Sequence, residues 1–164
     1  VLTFIQTSLA HFNLTYPPSR GLDESKVNIF PCGGFDDPDY RTEVPINSSF
    51  IEVNSTESIN YTYAINMLVD PHPFSSDFNS TKLFNIAEGN VSHPYESCLH
   101  VTYKNEPKAI NAARGTIQVV YYNNDTIFYQ CADVFFMDLA VNFNQSMCIN
   151  SQRQKLSQSS SSAT

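Results

Sequence analysis

The chain has 164 residues, enough for one domain with a hydrophobic core and too few for two of ordinary size. Its formal net charge of -7 and pI near 4.8, with nine lysines and arginines that form no cluster, argue against a surface that tracks nucleic-acid phosphates. No run of about twenty apolar residues occurs, so the sequence contains no membrane-spanning helix.

In chain order, the first stretch is "VLTFIQ", mostly apolar, followed by Ser8-Leu9-Ala10. That small-x-small pattern is one a signal peptidase accepts, so residues 1–10 read as the end of a signal peptide and His11 as the first residue of the mature chain. "YPPSRG" (16–21) reads as extended chain, because two prolines lock φ and steer the backbone away from His11. "GFDDPDY" (34–40) gathers Asp36, Asp37 and Asp39 without the spacing of a calcium loop and reads as a solvated turn. "SFIEVN" (49–54), "YTYAINMLV" (61–69), "TIQVVYY" (116–122) and "TIFYQCADVFF" (126–136) are short, rich in β-branched and aromatic residues, and bounded by turn formers. The last two flank Asn123-Asn124-Asp125, which predicts an antiparallel hairpin. "NEPKAINAAR" (105–114) reads as loop. From 151 to 164 the chain turns Ser-rich without apolar periodicity, the composition of a solvated linker. A linker of small residues precedes lipid-anchor signals, but the apolar tail that would complete one is absent from this sequence.

The compartment shows in two independent features. Asn-x-Ser/Thr sequons begin at Asn13, Asn47, Asn54, Asn60, Asn79, Asn90, Asn124 and Asn144, half of the sixteen asparagines, and mark a secreted glycoprotein. The four cysteines, Cys32, Cys98, Cys131 and Cys148, are even in number and widely spaced, unlike a zinc ribbon or a redox Cys-x-x-Cys. They predict two disulfides, with three connectivities open. Short strands, long loops and two disulfides in a secreted chain point to an all-β fold, a β-sandwich over residues 11–150.

The chemistry concentrates at His11. A histidine at a free chain start offers its α-amine and ring Nδ1 together, a chelate that an internal histidine cannot make because its backbone nitrogen is an amide. With one further imidazole this gives three nitrogens in a T, which suits the tetragonal preference of Cu(II). The sequence has no Gly-rich phosphate loop, no Gly-x-Ser-x-Gly and no His-Glu-x-x-His.

"HFNLTYPPSRG" (11–21), "PCGGF" (31–35), "ESCLHV" (96–101), "GTIQVVY" (115–121) and "FYQCADVFF" (128–136) resemble, in order, the blocks of the fungal copper-acquisition-factor family. Its members are secreted or lipid-anchored relatives of lytic polysaccharide monooxygenases. The resemblance implies an immunoglobulin-like β-sandwich and a surface Cu(II) held by the mature amino-terminal histidine, a second histidine and an aspartate. His11 matches the first position, and Asp133 falls where the aspartate is expected. A carboxylate beside the metal favours Cu(II) and fills the position where oxygen binds, which implies storage or delivery of copper and no enzyme activity. The second histidine is missing from "NSTESINY" (54–61), where Glu57 stands near the expected position. His72 is the nearest substitute in sequence, although a nine-residue strand spans roughly 30 Å and separates it from that position. His93 and His100, which flank Cys98, read as ordinary surface histidines. The resemblance also implies the pairings Cys32–Cys131 and Cys98–Cys148.

The function so implied is copper capture at the extracellular face of the plasma membrane or cell wall, with transfer to membrane uptake machinery. Two alternatives stand beside it. One is a cell-wall glycoprotein that keeps the fold without tight copper binding, and the other is a polysaccharide monooxygenase, against which the absence of Trp and the short chain weigh.

Overall fold

The structure is a computed structural model that describes residues 12–55, 60–92, 95–123 and 125–150. Eight strands follow in order: β1 (Phe12–Tyr16), β2 (Arg41–Pro45), β3 (Ser49–Ser55), β4 (Asn60–Leu68), β5 (Phe84–Ser92), β6 (Tyr95–Val101), β7 (Ala113–Asn123) and β8 (Thr126–Met137). Among the described residues the helical elements are two short 3-10 turns, Ser75–Asn79 and Gln145–Met147. Among the described residues, no helix is long and apolar enough to cross a membrane.

The strands form two sheets, β1-β3-β6 and β2-β8-β7-β4-β5, antiparallel except that β2 runs parallel to β8. The predicted hairpin is present, with Asn123 paired to Thr126 and the ladder running back to Ala113 opposite Phe136. The "NEPKAINAAR" segment is loop up to the start of β7, as read from the sequence. Strand β5 has no counterpart in the sequence reading. Its exposure pattern is polar and half-open along most of its length, as an edge strand with one neighbour allows.

The core follows from the two-residue period of the strands. Ile117, Val119 and Tyr121 of β7 and Ala132, Val134 and Phe136 of β8 face the smaller sheet, where Phe12, Leu14, Ile51 and Val53 meet them. Burial of each such side chain contributes about 1.5–3 kcal/mol. The opposite face of the larger sheet is covered by a second layer, the loops before β2 and after β4. Cys32, Leu68, Phe78 and Cys131 pack together there. Both disulfides have the pairing that the resemblance implied, Cys32–Cys131 and Cys98–Cys148. Cys32–Cys131 pins the second layer to β8. Gly33 enables the tight path beside it: its φ is +64°, and a Cβ would come within 2.5 Å of the Tyr129 carbonyl oxygen.

Candidate metal centre

The start of β1 is held from across the sandwich by one amide. Gln130, buried on β8, donates from Nε2 to the Phe12 carbonyl at 2.6 Å and accepts the Leu14 N–H on Oε1 at 2.9 Å. The Phe12 ring stacks on Tyr121 at 4.2 Å, Tyr121 stacks on Tyr61 at 5.6 Å, and Phe128 lies edge-on to Tyr61 at 6.4 Å. Aromatic packing and two buried hydrogen bonds therefore fix the direction of the backbone at Phe12. Phe12 pairs with Ser55, Ser55 with Tyr95, and Asn60 with Ser92, so strands of both sheets begin or finish at this end. His11, the residue before Phe12 in the chain, lies outside the described residues, as do Glu57 and His93.

Asp133 is placed elsewhere. Three positions along β8 separate it from Gln130, an odd step, so the two side chains leave opposite faces of the sheet. Gln130 reaches β1, whereas Asp133 points into the second layer and is 1% exposed. It is also five residues, roughly 17 Å of strand, beyond Phe128. Its carboxylate is fully engaged. Oδ2 accepts from Arg20 Nε and from the Asp39 N–H, both at 2.8 Å, and Oδ1 accepts from Arg20 Nη2 at 2.8 Å and Thr116 Oγ1 at 2.7 Å.

Arg20, equally buried, completes its fork on the carbonyls of Phe35 (3.0 Å) and Asp36 (2.9 Å). The acidic "GFDDPDY" stretch is thus wrapped around a buried cation by its backbone, a role the sequence reading did not assign. Burial alone would raise the Asp133 pKa, but the hydrogen bonds from Arg20, the Asp39 amide and Thr116 outweigh it and hold the carboxyl below its ordinary range. In this geometry Asp133 is the counter-ion of Arg20.

His72 does not fold back to the β1 end either. It follows β4 by four residues at the far end of the nine-residue strand, exposed, with its N–H donating to Asp70 Oδ1 at 2.8 Å. Neighbouring Pro71 is tied to the same far end, its carbonyl accepting from Arg41 Nη2 at 2.6 Å, and Arg41 pairs in register with Asp133. Asp133 and His72, expected as copper ligands, both lie away from the start of β1, and His11 is outside the described residues. Among the described residues, the only His/Cys/Asp/Glu group with metal-holding spacing is Cys98, His100 and Cys148, two of which are joined as a disulfide.

Seven of the eight sequon asparagines are described. Asn13, Asn47, Asn60, Asn79, Asn90 and Asn144 are exposed and Asn54 is half-buried; Asn124 lies outside the described residues.

The two-sheet architecture defines a class. It is the β-sandwich of the polysaccharide monooxygenases: the catalytic domain of the monooxygenase Lmo2467 from Listeria monocytogenes superimposes with a TM-score of 0.58 at 13% identity, covering 77% of this chain and 99% of that domain. An AA10 lytic polysaccharide monooxygenase from Streptomyces lividans does so with a TM-score of 0.52 at 17% identity, covering 77% of this chain and all of its own. These likenesses establish the fold.

The family comes from sequence. Residues 9–153 match the copper acquisition factor BIM1-like family, and the chain belongs to it. Copper acquisition factor BIM1 of Cryptococcus neoformans var. grubii is 29% identical over 144 residues, 80% of this chain and 62% of that protein. Its counterpart in Cryptococcus neoformans var. neoformans is 30% identical over 147 residues, 82% of this chain and 64% of its own length. This chain therefore spans less than two thirds of the curated relatives it matches.

Proposed function

We propose that the chain is an extracellular copper-binding protein that holds Cu(II) through the α-amine and imidazole of His11 at the head of the mature chain and does not turn over polysaccharide. Family membership and the names of the two Cryptococcus relatives support copper as the ligand. The observation that carries the chelate is the fixing of Phe12 by Gln130 and Tyr121, which gives the residue before it a stiff backbone to build on. Copper bound there would be captured outside the cell and passed to membrane uptake machinery, with a lipid anchor supplied by sequence beyond the Ser-rich linker. The sequons, six of them on exposed asparagines, support a glycosylated, secreted form.

The rival reading is a glycosylated scaffold without tight copper binding. It draws on the engagement of Asp133 by Arg20 and on the distance of His72, which leave His11 without a described partner. Titration of Cu(II) into protein with a free His11 amine, followed by electron paramagnetic resonance, separates the two. The copper reading expects one equivalent with nitrogen hyperfine structure, lost when a glycine is added before His11. Because strands on either side of residues 56–59 and 93–94 end where β1 starts, Glu57→Gln and His93→Ala are the variants to test for further ligands. Copper left in bulk solution by the free-amine protein overturns the proposal and leaves the scaffold.

A further inference from the structure

The two disulfides sit in unlike settings. Cys32–Cys131 is sealed in the second layer, both residues 1% exposed. Cys98–Cys148 lies at the surface, half-buried, between the edge strand β6 and the turn Gln145–Met147. His100 stands two residues after Cys98 on β6, hence on the same side of the strand. Both sulfurs and a ring nitrogen of His100 lie within 4.8 Å of one another. Gln145 Nε2 contacts His100 Nδ1 at 2.9 Å. With the amide nitrogen of Gln145 donating, Nδ1 accepts, and in the tautomer that this contact selects Nε2 bears the hydrogen and faces Cys148 Sγ at 3.8 Å.

Apart from the disulfide, the segment of Cys148 is tied to the sheet by the Ile149 N–H on Glu52 and by Phe143, whose ring packs on Tyr16 and Phe50 at 6.2 and 5.4 Å, and its remaining bonds shape the local turn. The Ser146 N–H donates to Asn144 Oδ1 at 3.0 Å, the Cys148 N–H to the Gln145 carbonyl at 3.1 Å, and the Ile149 N–H to Glu52 Oε2 at 3.2 Å. Glu52 is itself the cross-strand partner of Cys98. Opening the disulfide therefore leaves the two thiols beside each other and beside the imidazole.

We propose that Cys98, His100 and Cys148 form a redox-gated site for a soft monovalent metal ion, Cu(I), closed as the disulfide and opened by an external dithiol. One thiolate of the dithiol attacks Cys98 Sγ and the S–S bond breaks. Cys148 leaves as a thiolate beside the Nε2–H of His100, which stabilises it. The second thiol of the reagent then releases Cys98, so that the reagent is oxidised to its own disulfide and the protein gains two thiols. Cu(I) replaces the thiol protons and takes two sulfurs and one imidazole nitrogen, the soft, low-coordinate set that it favours. Bonds of about 2.3 Å to sulfur in a trigonal plane put donors about 4 Å apart, within reach of the present spread once the S–S bond opens. The imidazole then binds through Nε2 and carries its proton on Nδ1, which donates to Gln145 once that amide turns its oxygen inward. This site is independent of the Cu(II) chelate proposed at His11.

Limited anaerobic treatment of the folded protein with a dithiol, followed by thiol labelling and peptide mapping, should release about two of the four thiols, on the peptides of Cys98 and Cys148. After reagent removal, Cu(I) presented as a chromophoric chelate should transfer about one equivalent more to the reduced protein than to the oxidised protein, with thiolate-to-Cu(I) absorption in the ultraviolet. His11 is present in both forms and gives no such band, so failure here and failure of the His11 reading are distinguishable. His100→Ala should keep both thiols and weaken Cu(I) by about tenfold or more. The proposal is overturned if the thiols of Cys32 and Cys131 appear together with the other two, if reduction abolishes the near-ultraviolet circular dichroism, or if reduced and oxidised protein take up the same Cu(I).

Discussion

Replacing Asp133 by Asn separates its two roles, copper ligand and buried counter-ion. Four donors converge on the carboxylate, two of them from an arginine whose side chain is 2% exposed and which cannot discharge by losing its proton. An amide in that place turns its NH2 toward a donor whichever way it flips, and the guanidinium stays buried without a charge partner. Breaking such a pair from one side costs about 3–5 kcal/mol. At about 2–4 °C per kcal/mol for a chain of this size, the Tm should fall by about 6–20 °C. Because Asp133 projects from the face of β8 opposite to Gln130, Cu(II) affinity measured on the same protein with a free His11 should stay within about twofold. Arg20→Leu combined with Asp133→Leu should recover part of the lost stability, since no charge is then stranded.

The pH dependence has a definite sign. The native Asp133 carboxyl titrates below its unfolded value of about 3.9, so its contribution is complete above that pH and is lost as pH falls through the lower native value. Wild type should therefore lose stability below about pH 4 more steeply than Asp133→Asn. A variant that keeps its Tm within about 2 °C and yet binds Cu(II) tenfold more weakly would refute this reasoning and return Asp133 to the metal.

Gly33→Ala should destabilise by more than about 1 kcal/mol, because a side chain at φ +64° is strained and its Cβ would press on the Tyr129 carbonyl at 2.5 Å; a urea midpoint equal to wild type would contradict it. Gln130→Leu should cost about 2–4 kcal/mol by leaving the Phe12 carbonyl and the Leu14 N–H without partners. Hydrogen exchange of the Leu14 amide should quicken in that variant, and unchanged protection would show that the amide does not hold β1.

How much was legible depends on which face of a strand the chemistry uses. Strands β3, β4, β7 and β8 announce themselves, because their inward residues, such as Ile117, Val119 and Tyr121, are apolar and aromatic at period two. Strand β5 does not: Asn85, Glu88 and Asn90 face outward from an edge, and one neighbour suffices to hold the backbone. The layer that Asp133 enters was not legible, because its position in the sequence, just after a disulfide cysteine, says nothing about which face of β8 it leaves. The odd step from Gln130 would have revealed opposite faces, had Gln130 been known to reach β1. Arg20 carried a faint signal as one of two cations, with Lys26, between a pair of prolines and a Cys-Gly-Gly. The approach of His100 to Cys148 carried a signal only through the implied pairing Cys98–Cys148, since His100 stands two residues after Cys98; the setting at a sheet edge depends on β6 and on the path of the chain after β8.

The motif blocks themselves change meaning once the layers are known. "PCGGF" and "QCAD" carried the resemblance, yet in the fold Cys32, Gly33, Phe35, Cys131 and Asp133 serve the second layer, while Gln130 and Ala132 turn to the core between the sheets. Cys32 and Cys131 bridge it to β8, Gly33 lets the backbone pass under Tyr129, the Phe35 carbonyl accepts from Arg20, and Asp133 neutralises that arginine. A chain can therefore keep these blocks for stability alone, whether or not it retains copper. On the proposed function the metal chemistry lies at the other end, where Gln130 and Tyr121 fix the first strand and a processed amino terminus would add the chelating amine. Substitutions at Gly33 and Asp133 should consequently move Tm and leave copper affinity alone, whereas substitution of Gln130, which shares a block with Cys131 but reaches β1, should move both.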